Sequence, residues 1–179
     1  ARGFAHVGVL KVLEELGVEV SVVTATSMGS IVGGGYALGY TAGEMEKIIR
    51  AVNWGEIFSN RAPRADLVWR RKEDDYKNLA SSEIGISGGK PALPQGALSS
   101  QNLELFLRTL AEPAGTTTDL ELLPIPFAAM ATNLVTGKLV VMQRGATLEQ
   151  AMRASMSVPG VFPPMNFHGH LLVDGGLVQ

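Results

Sequence analysis

One stretch limits what this chain can become: Val20-Ser21-Val22-Val23-Thr24-Ala25-Thr26-Ser27-Met28-Gly29-Ser30. A β-branched apolar run stops at Thr24, and Ile31-Val32-Gly33-Gly34-Gly35-Tyr36-Ala37-Leu38 then reads as a helix. The pattern is strand, sharp turn, helix, with Ser27 at the apex. A turn this tight excludes bulky neighbours and leaves the hydroxyl exposed. Ser27 would also stand at a helix amino end, where unpaired N–H groups and the helix dipole favour developing negative charge. The pentapeptide Ala25-Thr26-Ser27-Met28-Gly29 departs from G-x-S-x-G at Ala25. Taken alone, the turn fits a nucleophile, and it equally fits Ser27 or Thr26 as an ordinary N-cap.

The rest of the chain sets the frame. With 179 residues, 46% of them hydrophobic, it suits one domain around one core. A net charge of −2 gives no global reason to expect nucleic acid. The absence of cysteine excludes a disulfide scaffold and thiolate zinc sites. The sequence opens on Ala1-Arg2-Gly3, already inside a motif-like run, and stops just after Asp174-Gly175-Gly176. It reads as a single domain over 1–179, cut at both ends, with an irregular insert at about 53–96. Compartment stays open between cytoplasm, membrane periphery and secretion to the cell surface, and a homo-oligomer stays open as well. The uncharged stretch from Val20 to Gly43 is long enough to span a bilayer, but Thr24, Thr26, Ser27 and Ser30 interrupt it; a buried strand and a buried helix explain it better.

In order, Phe4 to Leu16 predicts a helix with Val7, Val9, Leu10, Val12, Leu13 and Leu16 inward, ended by Gly17. Val18 to Thr24 predicts a buried strand of the parallel-sheet kind. Three consecutive glycines, Gly33 to Gly35, are sensible in a helix only if neighbouring backbone packs very close, which marks it as central. Thr41-Ala42-Gly43-Glu44 is a capping box for a helix through Ala51, with Met45, Ile48, Ile49 and Val52 on one face. In the insert, Trp54, Ile57, Phe58 and Trp69 alternate with Arg61, Arg64, Arg70, Arg71 and Lys72. This is a surface for anionic lipid head groups or, more simply, a solvated loop with anchoring aromatics. Ser87 to Pro91 reads as a hairpin-like turn. Ser99 to Ala111 predicts an amphipathic helix with Leu103, Leu105, Phe106 and Leu110 inward. Pro124–Thr132 and Lys138–Met142 predict a strand hairpin. Thr147 caps a helix to Met156, and His170 to Val173 forms a last strand. The class is α/β, with mixed strand pairing toward the end.

A serine hydroxyl needs a base to take its proton. The histidines are His6, His168 and His170. His6 falls on the first helix, away from its apolar stripe, and the other two flank Gly169 in a turn. Asp174 ends an apolar strand and precedes two glycines, a partly desolvated setting suited to a general base. It also suits a plain Asp-Gly turn.

The conjunction is more specific. Arg2-Gly3, the serine elbow, Asp174-Gly175-Gly176, and Arg153-Ala154-Ser155-Met156-Ser157-Val158-Pro159-Gly160-Val161-Phe162-Pro163-Pro164 together resemble the patatin-like phospholipase family. Bacterial patatin-like domains are the nearest in detail, including those of the autotransporter-passenger type. The resemblance covers nearly the whole chain. It implies a three-layer α/β/α fold with a mostly parallel central sheet and a buried helix after the elbow. It implies a Ser27–Asp174 dyad, Arg2 and Gly3 as the tail of an oxyanion loop, and Met28 beside them. Ala25 and Gly29 frame the elbow, and Gly175 and Gly176 complete the Asp-Gly-Gly motif. The family's glycines expected before Ala1 are missing, so the loop would be incomplete. The activity implied is hydrolysis of acyl esters of phospholipids, lysophospholipids or neutral lipids, with no metal or cofactor and at most a peripheral membrane contact. Two alternatives stand beside it: a catalytically silent lipid-binding or interaction domain, and a Ser–His esterase or acyltransferase using His168 or His170. Chain order disfavours the last.

Overall fold

The computed structural model describes residues 2–58, 85–87, 90–92 and 100–178. A 3-10 turn, Arg2–Phe4, leads into α1 (Ala5–Glu15); β1 (Val23–Thr26), α2 (Met28–Ala37), α3 (Ala42–Ala51) and the short α4 (Trp54–Ile57) follow. After β2 (Gly85–Ser87) and β3 (Lys90–Ala92) come α5 (Gln101–Ala111), β4 (Phe127–Asn133), β5 (Leu139–Met142), α6 (Leu148–Ser155), β6 (Met165–Phe167) and β7 (His170–Asp174). The α/β class is as the sequence implies.

The central strand is β4. It pairs with β1 in parallel and with β5 and β7 antiparallel, and β6 closes the sheet against β7. Among the described residues of this sheet, then, one of the four pairings is parallel, so the expected mostly parallel balance is corrected. The mixed pairing expected toward the chain end is what predominates, because β4–β5 and β6–β7 are hairpins. The face carrying Phe127, Ala129, Ala131, Met142 and Leu172 joins the hydrophobic core. Helices α2 and α6 pack on β4. The opposite face leaves Leu139, Val141 and Leu171 exposed.

Local chemistry explains where elements begin. The prolines at 124 and 126 cannot donate to a ladder, so β4 starts at Phe127, and β1 starts opposite it at Val23. This shortens the expected Val18–Thr24 strand and leaves Val18 and Val22 exposed. The anticipated capping box is present: the Glu44 N–H donates to Thr41 Oγ1 at 3.2 Å, and the Thr41 N–H donates to Glu44 Oε2 at 2.8 Å. The Thr41 N–H first, and the Thr41 hydroxyl at 2.9 Å from Glu44 Oε2 second, hold the Glu44 carboxyl below its usual range. An equivalent box pairs Thr147 with Gln150 at the start of α6.

Other helical faces need correction. In α5 the buried positions are Leu103, Leu107 and Leu110, spaced four and three apart, while Leu105 is exposed. In α1 the residue buried is Val7; Val9, Val12 and Leu16 face outward, since α2 and α3 cover only one side of that helix. The region assigned as irregular begins with α4, where Trp54 packs against Phe4 and Phe106 with ring centroids 5.2 and 5.8 Å apart. β2 and β3 pair antiparallel, as the hairpin-like turn implied. The arginines and Trp69 of the insert lie outside the described residues. No helix among the described residues is long and apolar enough to cross a membrane.

The glycine run of α2 has the role its composition implied. A methyl on Gly33 would meet Val23 Cγ1 at 2.8 Å, and one on Gly34 would meet Met152 Sδ at 3.0 Å. The helix therefore lies against β1 closer than a methyl would allow, and tightly against α6. About 1 kcal/mol of helix propensity is given up per glycine, and dense core contact offsets it.

Two outcomes follow. Thr147→Ala should lower stability by about 1 kcal/mol in urea denaturation. For Glu44 the folded pKa is depressed, so its contribution is present above the unfolded carboxylate range and is lost as pH falls through the folded value. The destabilisation by Glu44→Gln at neutral pH should therefore shrink on acidification.

Candidate active site

Two strands share one edge of β4, and this builds the site. β5 and β7 both pair with Ala131 and Thr132, so they occupy opposite edges of β4. β5 and β1 both pair with Ala129 and Met130, so they too are on opposite edges. β1 and β7 therefore lie end to end along the same edge. β1 runs parallel to β4 and finishes with Thr26 opposite Met130; β7 runs antiparallel and finishes with Asp174 opposite Ala131. Neighbouring positions on a strand are about 3.3 Å apart. The carboxyl ends of the two strands thus meet head to head, with Ser27 leaving one and Asp174 closing the other.

At the end of β1 the backbone turns sharply. Ser27 has φ 53° and ψ −131°, left-handed backbone in a residue other than glycine. Such strain costs about 1–3 kcal/mol and persists only where its surroundings enforce it. Here the enforcing contacts come from the end of α6. The Ser27 N–H donates to Ser155 Oγ at 2.8 Å, and Ser155 Oγ donates to the Met130 carbonyl at 2.6 Å. Ser30 Oγ donates to the Ser27 carbonyl at 2.6 Å. As the first residues of α2, Met28 and Gly29 carry N–H groups with no intrahelical acceptor. The backbone of Gly3 packs on the Met28 side chain, leaving no room for a methyl between them.

At the end of β7, the buried Asp174 receives the Gly176 N–H at 2.8 Å on Oδ1, and its own N–H donates to the Ser157 carbonyl at 2.9 Å. A methyl on Gly175 would lie 2.5 Å from the Met130 carbonyl oxygen. One on Gly176 would lie 4.0 Å from Thr26 Cγ2. The Asp-Gly-Gly turn is thus folded directly onto the end of β1.

The Ser27 hydroxyl itself points at Met156 Sδ, at 3.9 Å. Among the described residues its hydrogen bond goes to that sulfur rather than to Asp174.

Three consecutive residues, Ser155, Met156 and Ser157, therefore touch both halves of the site. They lay inside the motif quoted from sequence, but nothing in their composition assigned them a role. Behind them the buried Arg153 guanidinium donates to Ser157 Oγ at 2.6 Å, to Glu104 Oε1 at 3.1 Å and to the Pro163 carbonyl at 3.2 Å, and lies over the Phe162 ring. A lone arginine followed by the small residues Ala154 and Ser155 is the sequence signal that could have marked this bracket.

The histidines separate. His168 and His170 sit at the β6–β7 turn, where His170 begins the strand that Asp174 ends. Four residues at about 3.3 Å each put them well away from the elbow. His6 is exposed on α1, yet its Nε2 would lie 3.5 Å from a methyl on Gly29. It is the histidine nearest the turn. Of Arg2, only the backbone is described, in the turn before α1.

A family model described as patatin-like phospholipase matches residues 1–179. An uncharacterized NTE family protein of Mycobacterium tuberculosis is 32% identical over 179 residues, which is all of this chain and 41% of the relative. The lysophospholipase NTE1 of Cryptococcus neoformans is 32% identical over 179 residues, all of this chain and 9% of that protein. The chain thus spans less than half the length of these curated relatives. Among solved structures, VipD from Legionella pneumophila superposes with a TM-score of 0.59 at 16% identity, covering 99% of this chain and 44% of that one. That likeness concerns the fold.

Replacing Ser155 with alanine removes one partner from two backbone groups at once. It should cost about 1–3 kcal/mol of stability and release the strained turn, read as a lowered midpoint in thermal unfolding. Gly175→Ala should cost about 2 kcal/mol, because the obstacle is backbone that cannot rotate away.

Proposed function

The chain belongs to the patatin-like phospholipase family, and from that premise we propose that it is a lipid acyl hydrolase working through a Ser27–Asp174 dyad. The observation that carries this reading is the meeting of the β1 and β7 ends on adjacent residues of β4. It gives a nucleophile and a carboxylate from residues far apart in sequence, beside free N–H groups at the start of α2.

The steps follow from what each group can do. Ser27 Oγ attacks the ester carbonyl, and Asp174 takes its proton. The resulting oxyanion is held by the Met28 N–H and by the backbone around Gly3, with Arg2 at the edge of that loop. The leaving alcohol takes the proton back, which leaves an acyl-enzyme. Water then attacks the acyl carbon and gives its proton to Asp174; as the adduct collapses, Ser27 Oγ leaves and takes that proton back, and the fatty acid departs. Thioether sulfur is a weak acceptor, so the present partner of the Ser27 hydroxyl holds it only lightly. Phospholipids and lysophospholipids are the substrate class; the similarity to a lysophospholipase supports the second.

The position of His6 beside Gly29 favours one competing reading, a serine activated by histidine. The two readings differ in a measurable way. Ser27→Ala and Asp174→Asn should each lower kcat for lysophosphatidylcholine by about three orders of magnitude or more, and a fluorophosphonate should label the wild type at Ser27. Replacing His6, His168 and His170 together should leave kcat within about tenfold. Full activity in Asp174→Asn, or its loss with the histidines, would assign the base to histidine. Lipid binding by a wild type that the fluorophosphonate does not label would assign the chain to the silent class.

A further inference from the structure

A cavity lies between α1 and α3, and the ester chemistry above does not use it. Its volume is about 510 Å³, within the range of small-molecule sites. The two helices run antiparallel: the Ala42 N–H at the start of α3 donates to Glu14 near the end of α1 at 2.9 Å, while Phe4 before α1 meets Trp54 beyond α3. Phe4, Val7, Ile49 and Trp54 form the apolar end. The Trp54 indole is fixed there by its N–H bond to the Ile49 carbonyl at 3.0 Å.

The other end is ionic. Lys11 and Arg50 both bond Glu46, the arginine at 2.9 Å, and all three line the cavity. Hydrogen bonds from Lys11 first and Arg50 second hold the Glu46 carboxyl below its usual range. Two cations share one carboxylate, which leaves one positive charge in excess among the lining residues. The next acidic group along α1, Glu14, is committed to the Ala42 N–H outside the lining.

The cavity faces away from the elbow. Residues advance about 100° around a helix, so His6, which stands beside Gly29, is at least about 100° round α1 from Val7, Gly8 and Lys11. From Phe4 to Lys11 is about 10 Å along the axis, room for an extended alkyl segment.

We propose that this cavity is a lipid site separate from the ester-cleaving one, taking one alkyl chain that carries a single anionic head, a carboxylate or a phosphate. The chain lies on Phe4, Val7, Ile49 and Trp54, and the head meets Lys11 and Arg50. A fatty acid and an anionic single-chain lipid share this chemistry.

Binding is read without hydrolysis, so it stands or falls independently of the proposed activity. Of the two tryptophans, Trp69 is replaced by phenylalanine, so that Trp54 alone reports. Emission is followed with bromododecanoate, dodecyl phosphate and bromododecanol, below micelle-forming concentrations. Both anions should change Trp54 emission saturably, and the alcohol should bind about tenfold more weakly. Whichever anion binds more tightly identifies the head group. Lys11→Gln with Arg50→Gln should bring acid and alcohol together. Gly8→Phe fills the cavity from a position with open space around its Cβ and should abolish binding of all three. Equal binding of acid and alcohol by the parent, or undiminished binding by a folded Gly8→Phe, would overturn the proposal. If circular dichroism shows Gly8→Phe unfolded, the head-group comparison decides.

Discussion

Everything at the candidate site depends on one edge of β4 being shared by two strands that approach from opposite directions. Backbone hydrogen bonding fixes where each strand stops, and a register slip of one residue would turn Ser27 or Asp174 toward the other face. Pairing Thr26 with Met130 and Asp174 with Ala131 leaves no freedom in that spacing. The chemistry proposed for the chain is therefore held by a backbone ladder, and the loops only finish it.

The end of α6 makes the arrangement rigid. Ser155 satisfies the Ser27 N–H and the Met130 carbonyl together, and the Ser157 carbonyl takes the Asp174 N–H. Arg153 ties this segment to Glu104 of α5 and to the Pro163 carbonyl. A buried charge is tolerable there because each edge of the guanidinium has a partner. Its role is to fix one conformation of the bracket, and through it the strained φ of Ser27.

Small residues permit this crowding where larger ones would prevent it. Gly3 against Met28, Gly33 against Val23 and Gly175 against the Met130 carbonyl are all contacts with no space for a methyl. Each glycine loosens the unfolded chain and costs entropy on folding, and each lets two backbones meet at the centre of the fold.

The elbow was legible from residues 20–38 because a β-branched run, small turn residues and a glycine-rich helix are local signals. So were the Thr41 and Thr147 caps, since a cap needs only neighbours three residues away. The outward face of α1 and the burial of Leu107 over Leu105 were not, because periodicity marks a stripe and not which neighbour covers it. The roles of Ser155, Met156 and Ser157 were equally hidden, since their partners at Ser27 and Asp174 lie far off along the chain in both directions. By itself the sequence determined the turn at Ser27, the strand ending at Asp174 and the family they belong to. Only the tertiary structure decided that the two strands finish on adjacent residues of β4, because register is set by long-range pairing that no local pattern encodes.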